Sequence, residues 1–116
     1  MNAVEYLDLE DLLDFVRGLG TGPVRDVGLL DAAAARASSS AFGQDAYQTL
    51  ALKAAALLDS VVRSRPLVDG NKRLAWLAAV VFLDINGYTT DLVKEEAFAL
   101  VMDAAQGIAD VQQWDA

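Results

Sequence analysis

Residues 65–88 read Arg65-Pro-Leu-Val-Asp-Gly-Asn-Lys-Arg-Leu-Ala-Trp-Leu-Ala-Ala-Val-Val-Phe-Leu-Asp-Ile-Asn-Gly-Tyr88, and this stretch decides the fold. Pro66 biases the residue before it away from helical angles, which predicts a loop. A helix then opens at Asn71 or Lys72. Its residues are apolar on nearly every face, so we expect this helix in the middle of the domain rather than at its surface.

The end of this helix is marked as clearly as its start. Asn86-Gly87 directly follows Ile85 and is a strong stop signal for a helix. Residues 74–83, within this helix, form the most apolar stretch of the chain. That stretch is far shorter than the roughly 20 residues needed to span a bilayer. We therefore expect a protein without a membrane segment.

Helical periodicity continues on the amino-terminal side. A first helix is predicted between Asp8, which suits an N-cap, and a stop at Gly18 or Gly20; its apolar face comprises Leu9, Leu12, Leu13, Val16 and Leu19. Gly and Pro residues in 20–23 forbid its continuation. A second helix starts near Asp26 and ends in the serine cluster of residues 38–40.

The remaining elements complete an all-α prediction. Residues 42–47 form a connection with a possible short extended piece, and a third helix covers about residues 45–62. A fifth helix covers about residues 91–105, and residues 108–116 hold a short last helix ending around Trp114. The prediction is one compact all-α domain, residues 1–116, of about six helices around a buried central helix.

Four aromatic side chains carry predictions of their own. Phe42 and Tyr47 are expected as core or rim aromatics, and Trp76 is expected in the core. Trp114 is expected to anchor the tail. Neither tryptophan is expected to stack on a nucleotide.

Composition excludes several functions. The chain of 116 residues has nine basic and 17 acidic residues and a formal charge of −8, so a nucleic-acid backbone would repel it. It contains no cysteine and no histidine. Thiolate chemistry is therefore excluded, as are the usual general base at neutral pH and the commonest metal ligand. The amino terminus is acidic rather than a targeting segment, which suggests a cytoplasmic protein.

The basic residues are concentrated near the loop. Four of the nine lie within eleven positions: Arg63, Arg65, Lys72 and Arg73. Such a cationic island in an acidic protein suits a small anion such as a phosphate. A solvated turn with long side chains is the alternative.

The junction of loop and helix points to phosphate chemistry. Gly70 permits a close approach of the backbone, and the N–H groups of Asn71, Lys72 and Arg73 would point out of the helix start as an anion site. Arginine grips a phosphate through two nitrogens. Asp69 adds a carboxylate oxygen suited to Mg²⁺ held beside phosphates. This set fits phosphoryl or nucleotidyl transfer, although an ordinary turn would use similar residues.

The loop resembles the signature of the Fic/Doc family, written His-Pro-Phe-x-Asp/Glu-Gly-Asn-x-Arg. The helix that follows it is similar to the central helix of Doc-type toxins, and the resemblance covers about residues 9–107. It implies a single Fic/Doc-like helical domain. It also implies that residues 42–47 precede the motif where Fic-type proteins place a flap that aligns the target segment by strand addition.

The resemblance implies a role for each matching residue. Asp69 would hold Mg²⁺, Gly70 and Asn71 would form the anion nest, and Arg73 would contact the phosphates of ATP. At position 72 Fic adenylyltransferases usually carry a second glycine, whereas Doc toxins carry lysine, as here. Lys72 therefore favours phosphate transfer by a protein kinase over AMP transfer. The implied target is elongation factor Tu, and the implied partner is a Phd-like antitoxin.

Two positions depart from the family pattern. Leu67 replaces phenylalanine at a position expected to pack inward. Arg65 replaces the catalytic histidine, which takes a proton from the target hydroxyl. Arginine stays protonated at physiological pH, so the chain is expected to be inactive or nearly so. A detoxifying substitution and a natural pseudoenzyme both remain open, as do a Fic-type AMP transferase and a non-catalytic module that binds nucleotide and antitoxin.

Overall fold

The computed structural model describes residues 3–87 and places four helices and one short hairpin there. The elements in chain order are α1 (Leu9–Leu19), α2 (Val27–Arg36), β1 (Ser40–Ala41), β2 (Gln44–Asp45), α3 (Leu50–Ser64) and α4 (Asn71–Ile85). The predicted helical class is confirmed. The helices predicted at residues 91–105 and 108–116, with Trp114, lie outside the described residues.

The helices pack in a fixed order around α3 and α4. These two helices make the most extensive contact, α2 packs on α3, and α1 packs on α4 and α2. Both helices carry fully buried alanines, whose small side chains allow close packing of the core: Ala54, Ala55, Ala56, Ala75, Ala78 and Ala79. None of the four described helices is long and apolar enough to cross a membrane.

The ends of α1 and α2 follow the predicted capping residues. The Asp8 side chain accepts from the N–H of Asp11, and the Asp11 side chain accepts from the N–H of Asp8, which is a capping box. Gly20 ends α1 in the left-handed conformation. Asp26 caps α2 by accepting from the N–H of Leu29. Both predicted starts are confirmed.

The predicted start of α3 near residue 45 is wrong. α3 begins at Leu50, where the Thr49 hydroxyl accepts from the N–H of Leu52 at 3.0 Å. The reason is the hairpin, in which residues 44 and 45 pair with residues 41 and 40 as β2. A chain that is extended through residue 45 cannot be helical there.

Two aromatic predictions are also wrong. Phe42 lies at the tip of the hairpin with a φ of 54° and a side chain that is fully exposed, so it belongs neither to the core nor to its rim. Trp76 is half-buried rather than in the core, because it lies on the same exposed face of α4 as Lys72 and Arg73. Tyr47 does pack at the edge of the core and accepts from Nε of Arg36 at 2.7 Å.

A buried lysine attaches the hairpin to α3. Lys53 is 2% exposed, its Nζ donates to Oδ2 of Asp45 at 3.0 Å, and it lies 5.5 Å from the centre of the Tyr6 ring. Burial alone would lower the pKa of Lys53, but hydrogen bonding and attraction to Tyr6 and Asp45 outweigh it and leave the pKa raised. The ammonium therefore stays charged inside the fold.

This arrangement predicts that Asp45→Ala costs more stability than removal of the lysine charge. Asp45→Ala leaves a buried ammonium without its carboxylate and is expected to lower the free energy of unfolding by about 1–2 kcal/mol, since Asp45 is itself half exposed. Lys53→Met keeps the buried volume and removes the charge, so its cost is smaller. Denaturant unfolding measures both variants.

The matched control is Asp14→Ala, which breaks an exposed ion pair with Arg17 and should change stability by only a few tenths of a kcal/mol. Equal losses for Asp45→Ala and Asp14→Ala would show that Lys53 does not depend on its carboxylate.

Candidate active site

The loop between α3 and α4, residues 65–70, is called the motif loop below. It forms one side of a cavity of about 470 Å³. The predicted site residues all lie together there. The cavity is lined by Val62, Arg65, Val68, Asp69, Gly70, Asn71, Lys72 and Arg73. The structure thus brings into one place the residues that the sequence assigned to phosphate chemistry.

Gly70 opens α4 in a way that only glycine allows. Its φ is 91°, and a Cβ built at this position would lie 2.4 Å from Cγ2 and 2.6 Å from Cβ of Thr21. Among residues 3–87, no side chain caps the start of α4. The first N–H groups of the helix and the positive end of its dipole are therefore available to an anion in the cavity.

The side chain of Asn71 closes the motif loop from within. Its Oδ1 accepts from the N–H of Leu67 and its Nδ2 donates to the carbonyl oxygen of Leu67, both at 2.9 Å. Asn71 is 9% exposed and Leu67 is 1% exposed. The inward packing expected of Leu67 is present, and the two bonds from Asn71 hold the shape of the motif loop. The amide of Asn71 is used inside the loop, so what it offers to a ligand is its backbone N–H.

The cationic island divides into two parts. Arg65, Lys72 and Arg73 line the cavity, whereas Nε of Arg63 donates to Oδ1 of Asp59 at 2.8 Å, one turn back on α3. Within the cavity, Nη2 of Arg73 lies 3.9 Å from Oδ2 of Asp69, and both side chains are largely exposed. This ion pair is loose and leaves both groups free to contact a ligand.

The connection between α1 and α2 holds the motif loop in place; residues 21–26 are called the brace segment. Val24 and Leu67 form an isolated antiparallel bridge. The N–H of Val68 donates to the carbonyl oxygen of Pro23 at 2.9 Å, and that of Gly22 donates to the carbonyl oxygen of Asp69 at 3.1 Å. The motif loop is therefore fixed by main-chain bonds from a segment far earlier in the chain.

Sequence reasoning missed the residues of the brace segment. Gly22 and Pro23 predicted a loop, which is correct, but loop residues do not indicate which distant segment they will contact. Thr21 and Arg25 gave no local signal. Pro66 lacks an N–H, so the carbonyl groups around it need donors from elsewhere in the chain. Looking for such donors could have pointed to Arg25.

The residues fit a Mg²⁺ ion that is shared with phosphates. Within residues 3–87 there is no cluster of three acidic, histidine or cysteine side chains that would hold a metal by itself. Mg²⁺ commonly uses one or two carboxylates together with substrate phosphates. Asp69 presents such a carboxylate beside the open start of α4.

A second cavity of about 600 Å³ lies at the other end of α4 and suits an anion less well. It is lined by Ala3, Val4, Glu5, Leu50, Ile85, Asn86 and Gly87. The charged side chain in that set is a carboxylate. The cavity at the motif loop is therefore the better candidate.

Comparison with known families agrees with this geometry. The Fic/DOC family profile matches residues 5–83, a range that contains the brace segment and the motif loop. The chain belongs to the Fic/DOC family. Over 85 residues it is 56% identical to the Toxin Doc of Mycolicibacterium smegmatis (strain ATCC 700084 / mc(2)155), which supports the Doc branch predicted from the motif.

The extent of this match is limited. It covers 72% of this chain and 65% of that toxin, so it spans slightly less than two thirds of the relative's length. No solved structure matches the chain. Membership of the Fic/DOC family therefore rests on the family profile and on the sequence of this relative.

The fit of Gly70 against Thr21 predicts a large cost for Gly70→Ala. Both the positive φ and the clash oppose a Cβ, so we expect a loss of about 3 kcal/mol in the free energy of unfolding. Gly43→Ala is the matched control, because Gly43 has a φ of 78° but nothing within 4 Å of an added Cβ. That variant should lose about 1 kcal/mol from strain alone. Similar losses in the two variants would refute the close approach.

Proposed function

We propose that this chain is a Doc-type toxin whose motif loop transfers a phosphate from ATP to elongation factor Tu, and that Arg65 leaves it inactive or nearly so. The observation that carries the proposal is the cavity at the open start of α4, which gathers Asp69, Lys72 and Arg73 around free backbone donors. The similarity to a Toxin Doc supports it.

The phosphate-binding half of the reaction would use groups that are all present. The open N–H groups of α4 would donate to the phosphate oxygens, and Arg73 would bind them through its guanidinium. The loose pair with Asp69 costs little to break, since both side chains are mostly exposed. Asp69 would hold Mg²⁺, which when bound neutralises charge on the phosphates.

The transfer half of the reaction requires a base beside the phosphates. Residue 65 lines the same cavity and stands at the family's histidine position. A histidine there would take the proton of the target hydroxyl as its oxygen attacks the terminal phosphorus of ATP and the bond from that phosphorus to the departing ADP breaks. Arg65 remains protonated and cannot accept it. The sequence contains no histidine that could act instead.

Lys72 decides in this proposal which part of ATP is transferred. It is exposed at the second position of α4 and lines the cavity, where a second glycine would favour AMP transfer. The resemblance to Doc toxins, which carry lysine at this position, favours transfer of the terminal phosphate. AMP transfer is the alternative within the family.

A non-catalytic role is the second candidate, and Arg65 is the observation that favours it. The anion-binding parts of the site are intact while the position of the base is occupied by a cation. Such a chain would bind nucleotide and a partner without chemistry. In either case we propose a Phd-like antitoxin as the partner, and the cytoplasm as the place of action, because the proposed target is a translation factor.

The first test restores the missing base. Arg65→His is expected to arrest bacterial growth on induction, because the other parts of the loop are in place. Arg65→Ala should remain harmless, since alanine is no base, and Arg65→His combined with Arg73→Ala should also be harmless because phosphate binding is lost. Growth curves at matched soluble protein levels measure the effect.

Mass spectrometry of elongation factor Tu from the arrested cells then identifies the group transferred. An added phosphate supports the kinase proposal, and an added AMP supports the alternative. Harmless growth of the Arg65→His strain would contradict the proposed enzyme function and favour the binding role.

The second test concerns binding without chemistry. The parent chain is expected to bind ATP–Mg²⁺ weakly. The groups that would bind the phosphates lie at the start of α4, and none of them is altered by the arginine at position 65. Arg73→Ala should abolish this binding and Asp69→Ala should remove its dependence on Mg²⁺. Arg63→Gln is the matched control, since Arg63 belongs to the same cationic island but bonds Asp59 instead of lining the cavity.

Calorimetric titration of the four proteins provides the comparison. Binding by Arg73→Ala at the strength of the parent would show that the motif loop is not the phosphate site.

A further inference from the structure

The end of α3 poses a hydrogen-bonding problem that the motif itself creates. α3 ends at Ser64, and Arg65 follows in the left-handed conformation with φ 51° and ψ 61°. The N–H of Arg65 donates to the carbonyl oxygen of Val61 at 3.1 Å. In the usual helix ending of this kind the next N–H also donates back into the helix. Pro66 has no N–H and cannot do so.

Arg25 of the brace segment instead donates to carbonyl groups at the end of α3 and just after it. Its Nε donates to the carbonyl oxygen of Arg65 and its Nη2 donates to that of Ser64, both at 2.9 Å. Its backbone N–H donates to the carbonyl oxygen of Pro66. One residue therefore serves three consecutive carbonyl groups. Its positive charge also lies at the negative end of the α3 dipole, where a cation is favourable.

The backbone of Arg25 is held from both sides. On one side Val24 is bridged to Leu67 of the motif loop. On the other side Asp26 caps α2 and donates its N–H to the carbonyl oxygen of Pro66 at 3.1 Å. The guanidinium of Arg25 is therefore carried by a backbone segment that hydrogen bonds hold in place.

We propose that Arg25 is a positioning residue that holds residue 65 in the left-handed conformation in which it lines the cavity. An arginine at position 65 has a Cβ that disfavours this conformation, so bonds to its carbonyl group and its neighbour's are needed to maintain it. A histidine there would need the same support. The link to catalysis rests on the proposed function, whereas the link to the conformation of residue 65 does not.

The first experiment tests the conformational link in the parent chain. Arg25→Ala is expected to raise the unfolding equilibrium constant about tenfold, the effect of losing bonds from a charged donor. In an Arg65→Gly background the same change should have a clearly smaller effect, because glycine adopts positive φ without support. Denaturant unfolding measures the four proteins, and Arg17→Ala, an exposed arginine of α1 paired with Asp14, is the control in both backgrounds.

The second experiment tests the link to the reaction in the Arg65→His background. Adding Arg25→Ala should lower kcat for phosphate transfer to elongation factor Tu about tenfold or more, because the base is misplaced. KM for ATP should stay within about twofold, because the start of α4 is unchanged. Arg25→Lys keeps the charge but loses the paired donors and should fall in between. Arg17→Ala should leave both constants unchanged.

The outcomes separate the two proposals. If Arg25→Ala destabilises the parent and the Arg65→Gly variant equally, Arg25 merely braces the fold and the inference is overturned. If KM for ATP rises while kcat is unchanged, Arg25 acts on nucleotide binding and the inference is also overturned. If Arg65→His has no activity, the proposed function fails, while the unfolding comparison still decides whether Arg25 holds residue 65.

Discussion

The contact between the brace segment and the motif loop is the constraint on which the site depends. The start of α4 can remain open to a ligand only if something other than a capping side chain holds it. Here the brace segment holds it from the side that does not line the cavity. Gly70 lies against Thr21, and the N–H of Gly22 donates to the carbonyl oxygen of Asp69. Because the brace segment does not line the cavity, the helix start is ordered while its donors stay free.

The same arrangement separates the two halves of the proposed reaction. In that proposal, phosphate binding would depend on the start of α4, which is fixed by Gly70, Asn71 and the brace segment. Proton removal would depend on residue 65, which follows the end of α3 and whose carbonyl group accepts from the side chain of Arg25. A change at residue 65 can therefore abolish chemistry without disturbing the anion site. This separation is the structural reason why a chain with Arg65 is still expected to bind nucleotide.

The hairpin is attached to the helices by contacts of its own, separate from those of the motif loop. Its tip carries an exposed Phe42, while its base is tied to α3 through Asp45 and the buried Lys53. The resemblance to Fic-type proteins predicts a target-aligning flap at this position. The structure has a hairpin with an exposed tip there, and a partly buried ionic contact between Lys53 and Asp45 fixes its base.

Local signals in the sequence predicted the presence of the four described helices and of the motif, but not every helix boundary. Asp8, Asp26 and Gly20 predicted helix ends correctly because capping is a property of neighbouring residues. The start of α3 was not predictable in the same way, since β2 depends on pairing with β1 and short strands carry little pattern. The exposure of Trp76 depends on which face of α4 meets α3.

The site was predictable only as far as it is continuous in sequence. Residues 65–73 supplied most of the cavity lining, but Arg25 and Thr21 come from a segment whose partner is set by tertiary structure. The clustering of basic residues also led to one wrong assignment. Arg63 is part of the cationic island in the sequence, but in the structure its side chain pairs with Asp59. Composition cannot distinguish a cation that faces a cavity from one that pairs along its own helix.

An NMR titration of the ¹⁵N-labelled chain with ATP–Mg²⁺ tests most directly whether the start of α4 binds phosphate. We expect the largest amide shifts at Gly70, Asn71, Lys72 and Arg73. Largest shifts at Val4, Glu5 and Asn86, beside the second cavity, would contradict it.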